Sequence, residues 1–187
     1  MSPGALTWIF IAFLSGSLPI SVWIGSYVLQ TDIRSYGDGN PGAANVWRAG
    51  GRFWSVTAVL LDFLKGALPV GWAHFGLGFD GLALVLIALA PILGHAFSPF
   101  LNWRGGKALA VTFGVWAGLS LWWVPLLLGG LFAFWLRVVT VAGWAVALGM
   151  ICLYTILILI GANTEWLLIW VGNFVILAWK HRADLSR

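Results

Sequence analysis

Charge is what this sequence has least of. Lys, Arg, Asp and Glu together make up 9% of the 187 residues, against roughly a quarter in an ordinary soluble domain. With 61% of residues hydrophobic, a water-soluble globule is excluded and an integral membrane protein is implied. Cysteine is nearly absent too. The single Cys152, inside the run ICLYTILILI, excludes a disulfide framework and reads as a packing residue. Three widely separated histidines and that one cysteine give no ligand spacing, so no metal and no cofactor are expected. The N-terminus lacks a basic stretch and a small-residue cleavage site, so a cleaved signal peptide is not expected. No nucleic-acid partner is expected either.

What remains is apolar chain in blocks of membrane-spanning length. A span needs about 20 apolar residues, and Leu6–Leu29 and Phe53–Trp72 meet this readily. Gly81–Ala96 is shorter, Val138–Ile160 and Trp166–Trp179 follow later, and between them Ala108–Leu136 is apolar throughout but interrupted by Pro125 and Gly129-Gly130. Basic residues decide how to read that long block. Arg34, Arg48 and Arg52 follow the first span, Arg104 and Lys107 the third, and Lys180, Arg182 and Arg187 the last. Cytoplasmic loops carry the excess of Lys and Arg. One span at Ala108–Leu136 would send the basic tail outward, whereas a hairpin returns Arg137 and the tail inside. The expectation is therefore an all-α, polytopic membrane protein of seven transmembrane helices, N-terminus outside and C-terminus cytoplasmic. It forms one domain over residues 1–187, with cytoplasmic loops near 30–52, 98–107 and 180–187. Asp80, Glu165 and His74 fall on the outer side. Fourteen tryptophans and twelve phenylalanines suit the headgroup boundary and helix packing.

Asp62 and Lys65 are the exceptions to apolar span interiors. At i, i+3 they share one helix face and can pair; Lys65 either completes that ion pair or lends its charge to a buried anion site.

Two polar stretches concentrate the rest of the chemistry. In YGDGNPGAANVWR, residues 36–48, Gly37, Gly39 and Gly42 match G-x-G-x-x-G by accident, since a dinucleotide fold needs a preceding strand. The glycines nevertheless permit positive φ, and a loop leading into a helix at AANVWR can cradle an anion, with Arg48 placed to fork onto phosphate. In SPFLNWRGGK, residues 98–107, Gly105 and Gly106 allow close backbone approach while Arg104 and Lys107 supply charge. It is no Walker loop, because Leu101 and Ala108 stand where Gly and Ser or Thr are required. Phe100, five positions after His95, excludes a His-x-x-x-x-Asp acyltransferase box, and neither loop holds a G-x-S-x-G elbow. Two basic, glycine-rich loops on one face point to an anionic head group or phosphate ester. They leave open an enzyme, a non-catalytic binder of an anionic lipid or phosphate ester, and, on the strength of Asp62 and Lys65, a small transporter.

DIRSYGDGNPGAANVWR resembles the first motif, close to DxRxxGSGNxGATNxxR, of the bacterial acyl-phosphate:glycerol-3-phosphate acyltransferases, the PlsY family. LDFLKG resembles that family's LDxxKG, GHAFSPFLNWRGGKALA its GHxxPxFxxFKGGKGxAT, and KHRADL its third motif, near HRENI. In order, they cover the polar parts of nearly the whole chain. The resemblance implies a multi-pass protein of the bacterial inner membrane, with its active site on the cytoplasmic side. Its reaction would be acyl transfer from a fatty acyl phosphate to the 1-hydroxyl of glycerol 3-phosphate, giving lysophosphatidate and phosphate for phospholipid synthesis. The partners would be these two substrates and membrane lipids. Carried over by position, Arg48 binds phosphate, Gly105, Gly106 and Lys107 form a phosphate loop, and His181 is the third-motif histidine. Gly39, Asn40, Gly42 and Asn45 shape the first loop; His95, Arg104 and Lys65 complete the expected binding set.

The sequence departs from the pattern where it matters. Asp38 replaces a serine, Ala44 a threonine, Ala108 a glycine and Val111 a threonine, while Ala183 and Asp184 replace glutamate and asparagine. A carboxylate about 4 Å from a phosphate charge opposes binding by roughly 4 kcal/mol at an effective dielectric near 20. Asp38 is therefore expected either to pair with Arg34 or Arg48, or to accept the proton of the attacking hydroxyl, and is carried as a catalytic candidate with Arg48 and His181.

Overall fold

The computed structural model describes residues 1–186 and is helical, with no strand among them. Arg187, counted in the charge argument, lies outside the described residues. Helix α1, Pro3–Ser17, starts where Ser2 Oγ accepts from the Ala5 N–H at 3.2 Å and Pro3 sits in the first turn, a favourable start because proline's missing N–H has no helical partner there anyway. The first span, expected over Leu6–Leu29, is the helical stretch Pro3–Val28, with a break inside it: α1 stops at Ser17 and the helix resumes as α2, Ile20–Trp23, continuing in a wider turn to Val28. The cause is Pro19. Its ring pushes the preceding residue out of helical geometry, and Leu18 sits at ψ 119. The break exposes carbonyls that become anchors: Leu18 O accepts from Lys65 Nζ at 2.7 Å and Ser17 O from Ser98 Oγ at 2.6 Å.

After the short α3, Ala43–Arg48, come α4, Arg52–Gly71, and α5, Gly81–Ala96. The long apolar block is a hairpin of α6, Leu109–Ser120, and α7, Trp123–Val138. Leu121 and Trp122 both take positive φ, 49° and 83°, and reverse the chain. Phe113 and Phe132 consequently meet edge to face at 5.6 Å; nineteen positions apart in one continuous helix they would be about 28 Å apart. Helices α8, Ala142–Leu159, α9, Thr164–Lys180, and the one-turn α10, Arg182–Leu185, complete the chain. Four helical stretches, Pro3–Val28, Arg52–Gly76, Gly81–Leu101 and Ala142–Leu159, are long and apolar enough to cross a membrane.

Close packing runs along glycines. A Cβ on Gly16 would collide with the Pro91 backbone, on Gly94 with Phe13 O, on Gly114 with Phe63 O, and on Gly118 with the Gly71 N–H. Without a hydrophobic drive between helices in lipid, such small residues let backbones touch and dispersion hold them. Leu60, Leu68, Leu82, Leu126 and Leu159 are exposed, as a lipid-facing surface requires. Where α6 meets α9, Asn173 accepts from Trp116 Nε1 at 3.1 Å and donates to Thr112 Oγ1 at 2.9 Å, all three buried. Glu165, in the first turn of α9, accepts from Gly81 N at the start of α5, while Lys180 at the end of α9 donates to Ala96 O at the end of α5. The two helices therefore run parallel, and the polar loops that follow them lie at one end of the bundle.

Candidate active site

Asp38 lies in a loop whose polar groups largely satisfy one another. Gly37 and Gly39 take φ of 56° and 70°, a conformation cheap only for glycine. Asn45, 1% exposed, is the hub: its Nδ2 donates to Asn40 O at 2.9 Å and Asp38 Oδ1 at 3.2 Å, and its Oδ1 accepts from Arg48 Nη1 at 2.6 Å. Gly42 N also donates to Asn40 O, at 2.8 Å. Gly37, absent from the expected site, belongs to it: a Cβ there would press on Arg48 Nη1 and Asn45 Oδ1. Its signal was its place before Asp38 in the glycine run.

The second loop turns through Asn102 and Trp103, at φ 50° and 63°, and then lies on His95. Gly106 N donates to His95 O at 3.0 Å, and a Cβ on Gly105 or Gly106 would collide with His95 O or its Nε2. His95 thus forms the floor of the loop. Lys180 Nζ, unforeseen as a site residue, holds the loop from above by donating to Gly105 O at 2.8 Å. Ala108 adopts φ 61°, the left-handed region that accounts for the glycine of the resembling motif.

The two loops and the tail close on Lys107, whose Nζ lies 2.9 Å from Asp38 Oδ2 and 2.8 Å from Asp184 Oδ2. This corrects the expected pairing of Asp38. Arg34 is taken by Asp32 at 2.9 Å, and Arg48 is a distant second partner for Asp38 at 3.9 Å. Partial burial pushes the Asp38 carboxyl up, but the Lys107 hydrogen bond and the Asn40 N–H outweigh it and hold it below its ordinary value. Burial likewise favours neutral Lys107, yet bonds to Asp184 and Asp38 hold it above its ordinary value. His181, 3% exposed, has its Nδ1 2.8 Å from Leu177 O. A carbonyl only accepts, so Nδ1 carries the proton and Nε2 presents a lone pair. Burial above all holds this imidazole below its ordinary value and so neutral.

Lys65 stands apart from the expected phosphate-binding set. Its Nζ is 2.8 Å from Asp62 Oδ1 and bonded to Leu18 O, with both side chains almost fully buried. The pair is bonded to itself and to the break in the first helix; a void of about 10 Å³ adjoins both residues and His95, and Asp62 and His95, though not Lys65, also line the cleft of about 360 Å³ beside Lys107. Two larger clefts flank Lys107. One, of about 540 Å³, is lined by Arg104, Lys180, Arg182, Trp103 and Trp179; the other, of about 360 Å³, runs past Arg48 and His181 to Val59, Leu109, Ala110 and Val146. Asp38, Asn40 and Lys107 line both. Among the described residues, no three His, Cys, Asp or Glu side chains gather as a metal site.

The family model described as glycerol-3-phosphate acyltransferase matches residues 6–187. The glycerol-3-phosphate acyltransferase 1 of Thermotoga maritima is 36% identical over 96% of this chain and 95% of its own, and a glycerol-3-phosphate acyltransferase of Desulfovibrio desulfuricans is 35% identical over 97% and 80%. Among solved structures, the integral membrane glycerol 3-phosphate acyltransferase PlsY (YgiH), in its glycerol 3-phosphate form, superposes with a TM-score of 0.89 at 29% identity, covering 98% of this chain and 91% of that one. Its lysophosphatidic acid form gives 0.85 over the same shares.

Proposed function

The chain belongs to the glycerol-3-phosphate acyltransferase family, and from that premise we propose that it moves a fatty acyl group from acyl phosphate to the 1-hydroxyl of glycerol 3-phosphate. The products are lysophosphatidate and inorganic phosphate, in phospholipid biosynthesis. The observation that carries this reading is the seam at Lys107, with a basic cleft on one side and an apolar-walled one on the other. The first suits a small phosphate ester, the second an acyl chain entering from lipid.

In this reading acyl phosphate lies with its chain along Val59, Leu109 and Val146 and its phosphate toward Arg48 and Lys107. The glycerol hydroxyl oxygen attacks the acyl carbonyl carbon, its proton passes to His181 Nε2, and the bond from that carbon to the phosphate oxygen breaks, releasing phosphate to the cations. No protein nucleophile is needed, since the donor is already activated; positioning and electrostatic stabilisation suffice. Asp38, tied to Lys107, serves less well as base than His181, whose lone pair is unspent.

The membrane is the bacterial inner membrane, crossed seven times by one domain, with the N-terminus outside and the loops near 30–52, 98–107 and 180–187 cytoplasmic; the basic residues of those loops support this side. The two carboxylates on Lys107 favour a second reading, a relative with altered or no catalysis that binds an anionic lipid or phosphate ester. The transporter alternative rested on Asp62 and Lys65, which are closed on each other. Purified protein given acyl phosphate and labelled glycerol 3-phosphate is expected to form lysophosphatidate, with His181→Gln slower by about 10²–10⁴-fold. No lysophosphatidate at high enzyme concentration sinks the acyltransferase reading in favour of the second.

A further inference from the structure

Two residues that depart from the resembling motifs, Asp38 and Asp184, meet at one atom, Lys107 Nζ. They come from different segments, and each is held independently of the lysine. Asp38 accepts from the Asn40 N–H and Asn45 Nδ2, both at 3.2 Å. Asp184 donates its N–H to His181 O at 2.8 Å and packs so closely on α8 that a Cβ on Gly143 would lie 2.7 Å from its own Cβ. The Asp38 carboxylate and the backbone and Cβ of Asp184 are therefore held independently of the lysine, which, on its flexible stem, is the member free to move away. Lys107 is also the cation that lines both clefts. A phosphate oxygen reaching its ammonium comes close to two anions that already occupy two of its three donor directions.

We propose that Asp38 and Asp184 form a carboxylate latch on Lys107 that an incoming phosphate group must open, and that the latch sets how weakly this site holds phosphate-bearing substrates and products. The identity of those ligands rests on the acyltransferase reading; the competition for Lys107 does not. Phosphate entry and latch closure exclude each other, so the latch raises KM and speeds release of phosphate. Both carboxylates are positioning residues acting through the lysine.

Calorimetric titration of the purified chain in lipid nanodiscs with inorganic phosphate, beside Asp184→Asn, Asp38→Ser and the double variant, tests this. Phosphate is expected to bind about tenfold more tightly for each carboxylate removed, the KM for glycerol 3-phosphate to fall in parallel, and kcat not to rise. Asp184→Glu, which restores the charge, is expected to return phosphate affinity toward wild type. Unchanged or weaker binding in Asp184→Asn, with its melting temperature intact, overturns the latch; should the double variant not fold, the single variants and Asp184→Glu still decide. Lysophosphatidate formation with unaltered phosphate affinity removes the latch and leaves the acyltransferase reading. Tighter phosphate binding in variants of a protein that makes no lysophosphatidate does the reverse.

Discussion

His181 shows how a single hydrogen bond assigns chemistry. Because Leu177 O claims Nδ1, the lone pair belongs to Nε2, and burial keeps the ring neutral. A group whose folded pKa is depressed is in its favoured form above its ordinary value and loses it as pH falls through the folded value. The ordinary value here is 6.5, so the acid limb of kcat/KM is expected below pH 6.5, falling about tenfold per pH unit. Asp38 is held below its ordinary 3.8 and Lys107 above its ordinary 10.5, so both stay charged across that range and add no limb of their own. A pH profile of the wild type centred above pH 7, or one unchanged in the residual activity of His181→Gln, counts against His181 as base.

Among the elements, α4 and α6 matter most to the site, because α6 begins directly after the Lys107 loop. Their contact passes through Gly114, which has no room for a methyl against Phe63 O, and Gly66, which has little against Val111 O. Gly114→Ala is expected to push α6 off α4 and lower stability by about 1–3 kcal/mol, as overpacking does, lowering the melting temperature in detergent along with activity. Gly130 meets nothing within 4 Å, so Gly130→Ala is the matched control and should leave both near wild type. Equal effects at the two positions argue against glycine packing as the cause.

The molecule as a whole has a polar end and an apolar body. The three motif segments converge at one end, and Glu165 with Gly81 marks the other. Positive-inside asymmetry supports the proposed orientation, which labelling tests. With Cys152 replaced by alanine, single cysteines at Asp80 and at Arg104 are expected to label from opposite sides of sealed vesicles, Asp80→Cys from outside the cell and Arg104→Cys from the cytoplasm. Labelling of both from one side, or in the inverted sense, removes the proposed topology.

The scarcity of charge, the apolar blocks and the chirality-blind bookkeeping of Lys and Arg determined an all-helical membrane protein, because the cost of exposing backbone and charge to lipid depends on composition and length alone. The hairpin was legible for the same reason, through where the basic tail had to return. The polar motifs marked Asp38, Arg48, Lys107 and His181 as neighbours in chemistry. Local sequence also contained Pro19, yet its consequence lay in which distant donors, Lys65 and Ser98, reached the carbonyls it freed. Only the tertiary structure decided that Lys65, whose pairing with Asp62 the i, i+3 spacing already allowed, is also anchored to Leu18 O, that Lys180 braces the Gly105 loop, and that Asp38 and Asp184 share Lys107. Those partners are separated by long stretches of chain, and hydrogen bonds and ion pairs act over a few ångströms of space, so helix packing, not sequence spacing, chose them.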